Sequence, residues 1–211
     1  MKILNLYACL GGNRYKWGDE HEITAVEWDE ELARLYKERF PNDKVIVADA
    51  HQYLLDHYKE FDFIWSSPPC PTHSRFNVSM KTKRTMKYPD MALYQEIIFL
   101  KHYYSGKWVV ENVIPFYDLL IEGYKRHRHI YWTNFNLPSI LSNRKNPDLG
   151  RTKNLIDALS EFHDYNFKKY KGKQTIQKVA RNLVDYEAGK TILDTVMGIR
   201  RKENINQIEL F

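Results

Sequence analysis

Phe61-Asp62-Phe63-Ile64-Trp65 is an apolar run that leads through Ser66 into Ser67-Pro68-Pro69-Cys70-Pro71. The apolar run predicts a buried strand. The prolines that follow fix φ and lack an N–H donor, so the second segment continues neither a helix nor a strand. They leave a stiff loop that presents the thiol of Cys70, which is a strong nucleophile when ionised. A small buried cysteine is the alternative interpretation.

Strand and helix patterns alternate around this stretch. Strands are predicted at residues 2–7, 22–28, 44–48, 61–66 and 107–111, and helices at residues 30–39, 50–58 and 88–104. This alternation predicts an α/β fold with a doubly wound, mostly parallel sheet. Ligands of such sheets bind beyond the carboxyl ends of the strands. Helical patterns return at residues 154–162 and 175–197, the latter interrupted near residue 184.

The composition favours one sizeable globular domain, because the chain has 211 residues of which 43% are hydrophobic. No run approaches the roughly 18 apolar residues that a membrane span needs. Residues 1–6 enter a strand pattern at once, without the features of a signal peptide. Cys9 and Cys70 are both accounted for without a disulfide bond. We therefore expect a cytoplasmic protein with no membrane contact and no metal site.

The charge distribution favours a polyanionic partner. The net charge is +5, and basic residues cluster at residues 81–87, 126–129 and 168–173. A basic run is most often a solvated surface. Because the first cluster follows Cys70 closely, contact with phosphate is the better interpretation here.

A nucleoside-binding set is predicted at three successive strand ends. Gly11 and Gly12 follow the first strand, where glycines permit a tight turn and the close approach of a ligand. Glu27 and Trp28 end the second strand, where a carboxylate suits ribose hydroxyls and an indole suits an adenine ring. Asp49 ends the third strand and can meet an adenine amino group.

Four motifs resemble those of the DNA (cytosine-5)-methyltransferase family. The segment Asn5-Leu6-Tyr7-Ala8-Cys9-Leu10-Gly11-Gly12 is similar to its opening D-L-F-x-G-x-G-G, with Asn5 for Asp and Cys9 for Gly. Pro69-Cys70 resembles the nucleophile loop, and Glu111-Asn112-Val113 matches E-N-V. Arg181-Asn182-Leu183-Val184 is similar to the late G-N-x-V. Order and spacing agree over residues 3–135 and again over residues 175–198, as in a compact, phage- or prophage-like member.

The resemblance implies a Rossmann-like fold and S-adenosylmethionine as cofactor. It implies methyl transfer to carbon 5 of cytosine in DNA, with the thiolate of Cys70 adding to carbon 6. Glu111 would bind ring nitrogen 3 and Asn112 would position its loop, with Arg128 as a further catalytic residue.

The same resemblance supplies the binding residues. Those expected to bind the cofactor are Tyr7, Ala8, Gly11, Gly12, Glu27, Trp28, Asp49, Ala50, Pro68 and Asn182. Glu27, Trp28 and Asp49 would hold the adenosine, the glycines would approach the methionine portion, and Asn182 would close the pocket. Those expected to bind nucleic acid are Ser74, Arg75, Lys81, Lys83, Arg84 and Arg126. The expected partner is double-stranded DNA with its target base flipped out, and residues 72–88 would form the lid.

The family's R-x-R motif leaves two registers open in Arg126-His127-Arg128-His129. Counting back from the following strand puts His127 and His129 at the arginine places. A shift of one residue puts Arg126 and Arg128 there, and guanidinium suits phosphate and carbonyl recognition better.

The expected organisation is a catalytic domain at residues 1–135, a reduced target-recognition segment or linker at 136–174, and a helical segment at 175–211 that packs back on the catalytic domain. The middle segment is too small for an independent domain. We therefore expect a short recognition sequence, low specificity, a specificity partner or a homodimer. An RNA cytosine-5 methyltransferase and, in another class, a non-catalytic nucleic-acid-binding subunit remain the alternatives.

Overall fold

A computed structural model describes residues 1–79, 87–145, 147 and 154–199. The strands of this part are β1 (Lys2–Leu6), β2 (Glu22–Glu27), β3 (Lys44–Val47), β4 (Phe63–Ser66), β5 (Lys107–Val113), β6 (Tyr124–Arg126) and β7 (His129–Thr133). Its helices are α1 (Glu30–Arg39), α2 (Ala50–His57), α3 (Arg75–Ser79), α4 (Ala92–Tyr103), α5 (Leu155–His163), α6 (Ile176–Arg181) and α7 (Tyr186–Val196). Single 3-10 turns lie at Tyr58–Glu60 and Phe167–Lys169.

The strands form one sheet in the order β3-β2-β1-β4-β5-β7-β6. The first five strands of that order are parallel, whereas β7 runs antiparallel to β5 and β6 antiparallel to β7. This arrangement confirms the predicted mostly parallel, doubly wound α/β fold. The chain order reverses direction between β1 and β4, so a ligand crevice is expected beyond their carboxyl ends.

Alternate residues of the central strands pack on opposite faces of the sheet. Leu4 of β1 belongs to the core beneath α2 and α4, to which Leu54 and Ile97 contribute. Ile3 belongs to the opposite core, which contains Ile192 of α7. Helices therefore cover both faces, as the fold class requires.

Most predicted elements agree with the structure to within two residues, and α4 is the largest exception. The pattern predicts a helix from residue 88, but α4 begins at Ala92. Pro89 disfavours helical backbone at Tyr88. The carboxylate of Asp90 instead accepts a hydrogen bond from the backbone N–H of Ala92, the first residue of the helix, at 3.1 Å.

The segment after β7 packs on the same body as the sheet. Leu159, Phe167 and Tyr170 share a core with Leu10 and Leu35. The hydroxyl of Tyr170 also donates a hydrogen bond to Asp29, the cap of α1, at 2.9 Å. These contacts fix the position of the segment. Its role in target recognition stays a prediction.

The helix α7 packs back against the turn that follows β1. A Cβ atom on Gly189 would lie 2.2 Å from the carbonyl oxygen of Asn13, so a larger residue would force the two apart. The indole N–H of Trp17 donates a hydrogen bond to the Gly189 carbonyl at 3.1 Å. Residues 200–211 of the predicted C-terminal segment lie outside the described residues. Among the helices that the structure describes, none has the length and apolar character needed to span a membrane.

His163, at the end of α5, makes the protein sensitive to acid. Its ring is 3% exposed and packs edge-on against Phe162 and Phe167, and burial lowers its pKa to about 3. Between pH 6.5 and 3 the unfolded chain therefore binds more protons at this residue than the folded chain does. The folded state loses up to about 1.4 kcal/mol for each pH unit of acidification across this window.

Replacing His163 with Phe should remove this contribution. We expect the unfolding free energy of the wild type to fall about 2 kcal/mol further between pH 7 and pH 5 than that of His163→Phe, because the pH crosses about 1.5 units of the window. Urea titrations at both pH values measure it. His102→Asn, at an exposed histidine of α4, is the matched control and should behave like the wild type. Equal acid losses in the wild type and His163→Phe would refute the assignment.

Candidate active site

A cleft of about 810 Å³ opens at the carboxyl edge of β1, β2, β4 and β5. Its walls include Tyr7, Cys9, Glu27, Trp28, Pro68, Cys70, Ser74, Arg75, Glu111, Asn112, His127, Arg128, His129, Gln174, Lys178, Arg181 and Asn182. The strand reversal between β1 and β4 predicts a crevice in this place. The structure therefore brings together residues that sequence analysis assigned to two sites, one for a nucleoside and one for a base.

Glu27 forms the polar centre of the nucleoside side. It is 4% exposed, and burial raises the pKa of its carboxyl group. One carboxylate oxygen accepts a hydrogen bond from the Cys9 backbone N–H at 2.8 Å, and the other accepts from Asp29 at 3.0 Å. The carboxylate keeps acceptor capacity for a ligand hydroxyl. The neighbouring indole of Trp28 is 63% exposed at the cleft wall.

The turn after β1 explains a departure from the family pattern. Tyr7 and Cys9 adopt φ values of +57° and +47°, in the left-handed region that favours glycine. A glycine at position 9 would adopt this conformation without steric cost. Cys9 adopts it at a steric cost, and in this conformation its backbone N–H donates a hydrogen bond to Glu27. Burial strongly raises the pKa of the Cys9 thiol, which keeps it protonated at neutral pH.

Close packing explains why positions 11 and 12 are both glycine. At Gly11, where φ is +66°, a Cβ atom would lie 2.4 Å from the ring of Phe40. At Gly12 it would lie 2.5 Å from the carbonyl oxygen of Val184. Neither glycine is among the residues that line the cleft. Close approach of protein to protein therefore accounts for both, and contact with a ligand is not needed to explain them.

Three further residues predicted to bind the cofactor lie off the cleft wall. Asp49 is exposed and caps α2, where its carboxylate accepts a hydrogen bond from Gln52 at 2.9 Å. Ala50 begins that helix and is buried, as is Ala8 after β1. By contrast, Pro68 and Asn182 line the cleft as expected.

The loop that carries Cys70 is fixed by hydrogen bonds. The backbone N–H groups of His73 and Ser74 both donate to the Cys70 carbonyl at 3.0 Å. The side-chain amide of Asn112 donates to the Pro68 carbonyl at 2.9 Å. Asn112 is 2% exposed, so this contact joins the Cys70 loop to the end of β5 inside the protein.

The thiol of Cys70 is protonated at neutral pH in this environment. Burial raises its pKa to about 11, and the negative charge of Glu111 adds to the effect. An attack by sulfur therefore requires that the thiol proton leave during the reaction. The carboxylate that raises the pKa of Cys70 belongs to Glu111, which lies on β5, lines the cleft and is 5% exposed.

The hairpin of β6 and β7 directs its four basic residues to different places. Arg126 turns away from the cleft, and its guanidinium donates to the carbonyls of Pro138 at 2.8 Å and Leu137 at 3.4 Å. This arginine holds the loop after β7, and its use in nucleic-acid binding stays a prediction. His127, Arg128 and His129 line the cleft, and Nδ1 of His129 is hydrogen-bonded to Glu111.

The remaining residues predicted to bind nucleic acid divide into two groups. Ser74 and Arg75 line the cleft at the start of α3. Lys81, Lys83 and Arg84 lie outside the described residues.

A family model for C-5 cytosine-specific DNA methylases matches residues 1–119, which is more than half of the chain. The chain belongs to the C-5 cytosine-specific DNA methylase family. It is thus a member of a methyltransferase family whose methyl donor is S-adenosylmethionine.

Solved structures similar to this methylase family member include three methyltransferases. DNMT2 of Spodoptera frugiperda is 26% identical with a TM-score of 0.40, over 53% of this chain and 35% of that chain. A DNA modification methyltransferase encoded within an E. coli prophage is 16% identical with a TM-score of 0.39, over 56% and 33%. A TehB-like SAM-dependent methyltransferase of Corynebacterium glutamicum is 21% identical with a TM-score of 0.33, over 53% and 54%. The matched region spans about a third of the first two structures. Comparison with curated proteins gave no match.

The methylase cleft also contains residues that sequence analysis missed. Lys178 and Arg181 reach the cleft from α6, and Gln174 reaches it from just before that helix. Lys178 lies four residues before Asn182 and therefore shares a helix face with it. Arg181 is the residue directly before Asn182. This spacing from Asn182, which was predicted to lie at the cofactor site, is the feature of the sequence that could have identified them.

Proposed function

We propose that this methylase transfers a methyl group from S-adenosylmethionine to carbon 5 of a cytosine in DNA, through a covalent adduct between Cys70 and a flipped base. One observation carries the proposal. Cys70 and Glu111 open into the same cleft as Glu27 and Trp28, so a base and an adenosine would meet in one space.

The cleft residues fit the cofactor. At about 810 Å³ the cleft has the size of a small-molecule site. Glu27 keeps acceptor capacity for ribose hydroxyls, and the exposed indole of Trp28 offers a stacking surface for adenine. Pro68 and Asn182 would border the bound molecule. When bound, S-adenosylmethionine supplies an electrophilic methyl group for carbon 5.

The addition step uses Cys70 and Glu111 together. The S–H bond of Cys70 breaks and a bond forms between Sγ and carbon 6, while nitrogen 3 takes a proton from Glu111. The thiol proton passes to Glu111, which delivers a proton to nitrogen 3, so the total number of protons on Cys70, Glu111 and the base does not change. The addition makes carbon 5 nucleophilic. Asn112 keeps the loop of Cys70 in register with β5 through its hydrogen bond to Pro68.

The release step reverses the addition. A base removes the proton from carbon 5 after methylation, and the electron pair of that C–H bond forms the double bond as Cys70 leaves carbon 6. Nitrogen 3 returns its proton to Glu111, and Glu111 passes a proton back to the sulfur of Cys70, which restores the thiol and the carboxylate for another substrate.

The positive rim of the cleft suits a nucleic-acid backbone. Arg75 from α3, Arg128 from the hairpin, and Lys178 with Arg181 from α6 surround the opening. Cationic side chains at such a rim bind phosphates without reading the sequence. Since carbon 5 and carbon 6 cannot be attacked inside the base stack, the cytosine would be flipped into the cleft.

The proposed organisation assigns catalysis to residues 1–135 and target contacts to residues 136–174. The helices within 175–199 would complete the cleft, since α6 contributes two of its basic residues. A recognition segment this short favours a short target sequence, a partner protein or a dimer.

Replacing Trp28 with Ala should weaken cofactor binding. Loss of stacking on adenine removes about 1–3 kcal/mol, so we expect the Kd for S-adenosylmethionine to rise between about 5- and 150-fold. Isothermal titration calorimetry measures it. Tyr103→Ala removes an equally exposed aromatic ring on α4, away from the cleft, and should leave the Kd within twofold. An unchanged Kd in Trp28→Ala would exclude the stacking role.

Methyl transfer to nucleic acid tests the function as a whole. Duplex DNA and RNA of the same mixed sequence would be incubated with labelled S-adenosylmethionine, and their nucleosides analysed. We expect label in 5-methyldeoxycytidine. Label in RNA alone would favour the RNA cytosine-5 methyltransferase. Binding of DNA and cofactor without transfer to either polymer would favour the non-catalytic subunit.

A further inference from the structure

His129 is the side chain in direct contact with Glu111. Its Nδ1 is hydrogen-bonded to Oε1 of Glu111. When Glu111 is ionised, its carboxylate only accepts hydrogen bonds, and Nδ1 of His129 is then the donor. Within the described part of the chain, this is the one side-chain hydrogen bond that Glu111 receives.

The sheet places the two residues together. In the antiparallel pair of β5 and β7, Glu111 lies opposite Tyr131 and Val113 lies opposite His129. His129 is thus the diagonal neighbour of Glu111 on the same face, within reach of a long side chain. The ring of His129 lies nearly parallel to that of Tyr131, at 21° and 6.4 Å between centroids, and Tyr131 is 3% exposed.

Two neighbours that could also hold Glu111 are used elsewhere. The amide of Asn112 is taken by the Pro68 carbonyl. The guanidinium of Arg126 is taken by carbonyls after β7. Arg128 of the same hairpin is near enough for a charge interaction with Glu111, and His129 is the residue whose hydrogen bond fixes a carboxyl oxygen.

We propose that His129 is a positioning residue that holds Oε1 of Glu111, so that the other oxygen faces the base in the cleft. The inference rests on the proposed function, because positioning matters only if Glu111 passes a proton. Holding one oxygen restricts rotation of the carboxyl group before the base arrives. Preorganisation of this kind lowers the barrier without adding a contact to the substrate.

A double-mutant cycle on kcat tests the proposal. We expect His129→Leu to lower kcat for methyl transfer about 10- to 100-fold while the KM values for DNA and S-adenosylmethionine stay within threefold. His129→Asn places an amide N–H near the position of Nδ1 and should recover kcat to within about threefold of the wild type. In a Glu111→Gln background, His129→Leu should cost less than threefold, because no proton transfer remains to be positioned.

The outcomes separate the inference from the proposed function. Independent, multiplicative losses in the double variant, or an unchanged kcat in His129→Leu, would overturn the inference alone. A His129→Asn variant that binds cofactor normally but stays as slow as His129→Leu would also overturn it. A wild-type protein that transfers no methyl group to DNA or RNA would overturn the proposed function and the inference with it.

Discussion

Cys70→Ala is expected to abolish methyl transfer to DNA, with a loss of about 10⁵-fold or more in kcat. The variant lacks the sulfur that forms the bond to carbon 6, and no other step makes carbon 5 nucleophilic. The Kd for S-adenosylmethionine should change by less than threefold, because Glu27 and Trp28 are untouched. Single-turnover assays with labelled cofactor measure the transfer, and calorimetry measures the binding.

The second cysteine supplies the control for this experiment. Cys9→Ala removes a thiol that lies in the same cleft and that burial keeps protonated. Its backbone N–H, which binds Glu27, remains. We expect Cys9→Ala to retain transfer within about tenfold of the wild type. Transfer that survives in Cys70→Ala, or that is lost equally in both variants, would remove Cys70 from the mechanism.

Glu111→Gln is expected to lower kcat about 10³-fold. A glutamine fills the same volume and keeps a hydrogen-bonding group, but it cannot pass a proton to nitrogen 3. Since the thiol of Cys70 is protonated at rest, the loss of its carboxylate neighbour also removes an acceptor for the thiol proton. Rapid-quench kinetics with saturating DNA isolate this step.

The pKa of Cys70 gives a second measure of the same pair. The charge of Glu111 contributes to the raised pKa of Cys70, so Glu111→Gln should lower that pKa. Thiol alkylation followed against pH in the free protein measures it. A normal kcat in Glu111→Gln would show that another group protonates the base.

The sheet could be predicted because its strands are buried on both faces. Continuous apolar runs such as residues 63–65 mark parallel strands, and the acids that end other strands mark the ligand edge. Glu27 and Glu111 lie at this edge, as the pattern indicates. Local sequence suffices where burial and strand ends carry the signal.

The choice between the pair Arg126 and Arg128 and the pair His127 and His129 could not be predicted. Arginine and histidine alternate along residues 126–129, so one face of the strand pattern carries two arginines and the other carries two histidines. Both pairs are basic, and the local pattern does not say which pair faces the ligand. In the structure Arg126 pairs with His129 across the turn of His127 and Arg128, and the hairpin brings His127, Arg128 and His129 to the cleft, which matches neither pair. That pairing depends on contacts with residues 137 and 138, which no local pattern reveals.

The glycine pair shows a second limit of sequence analysis. A glycine is required wherever another group approaches the backbone closely, and the sequence does not say what that group is. At Gly12 it is the Val184 carbonyl, from a segment more than 170 residues away in the chain. The same long-range packing places Lys178 and Arg181 at the cleft.

Covalent trapping tests the central claim most directly. In DNA carrying 5-fluoro-2′-deoxycytidine, carbon 5 holds no proton after methylation, so release of Cys70 stops and the adduct persists. Mass spectrometry after proteolysis should find the modified nucleotide on the peptide that contains Cys70, and only when S-adenosylmethionine is present. A protein that methylates ordinary DNA but forms no adduct, or forms one on another residue, would contradict the account.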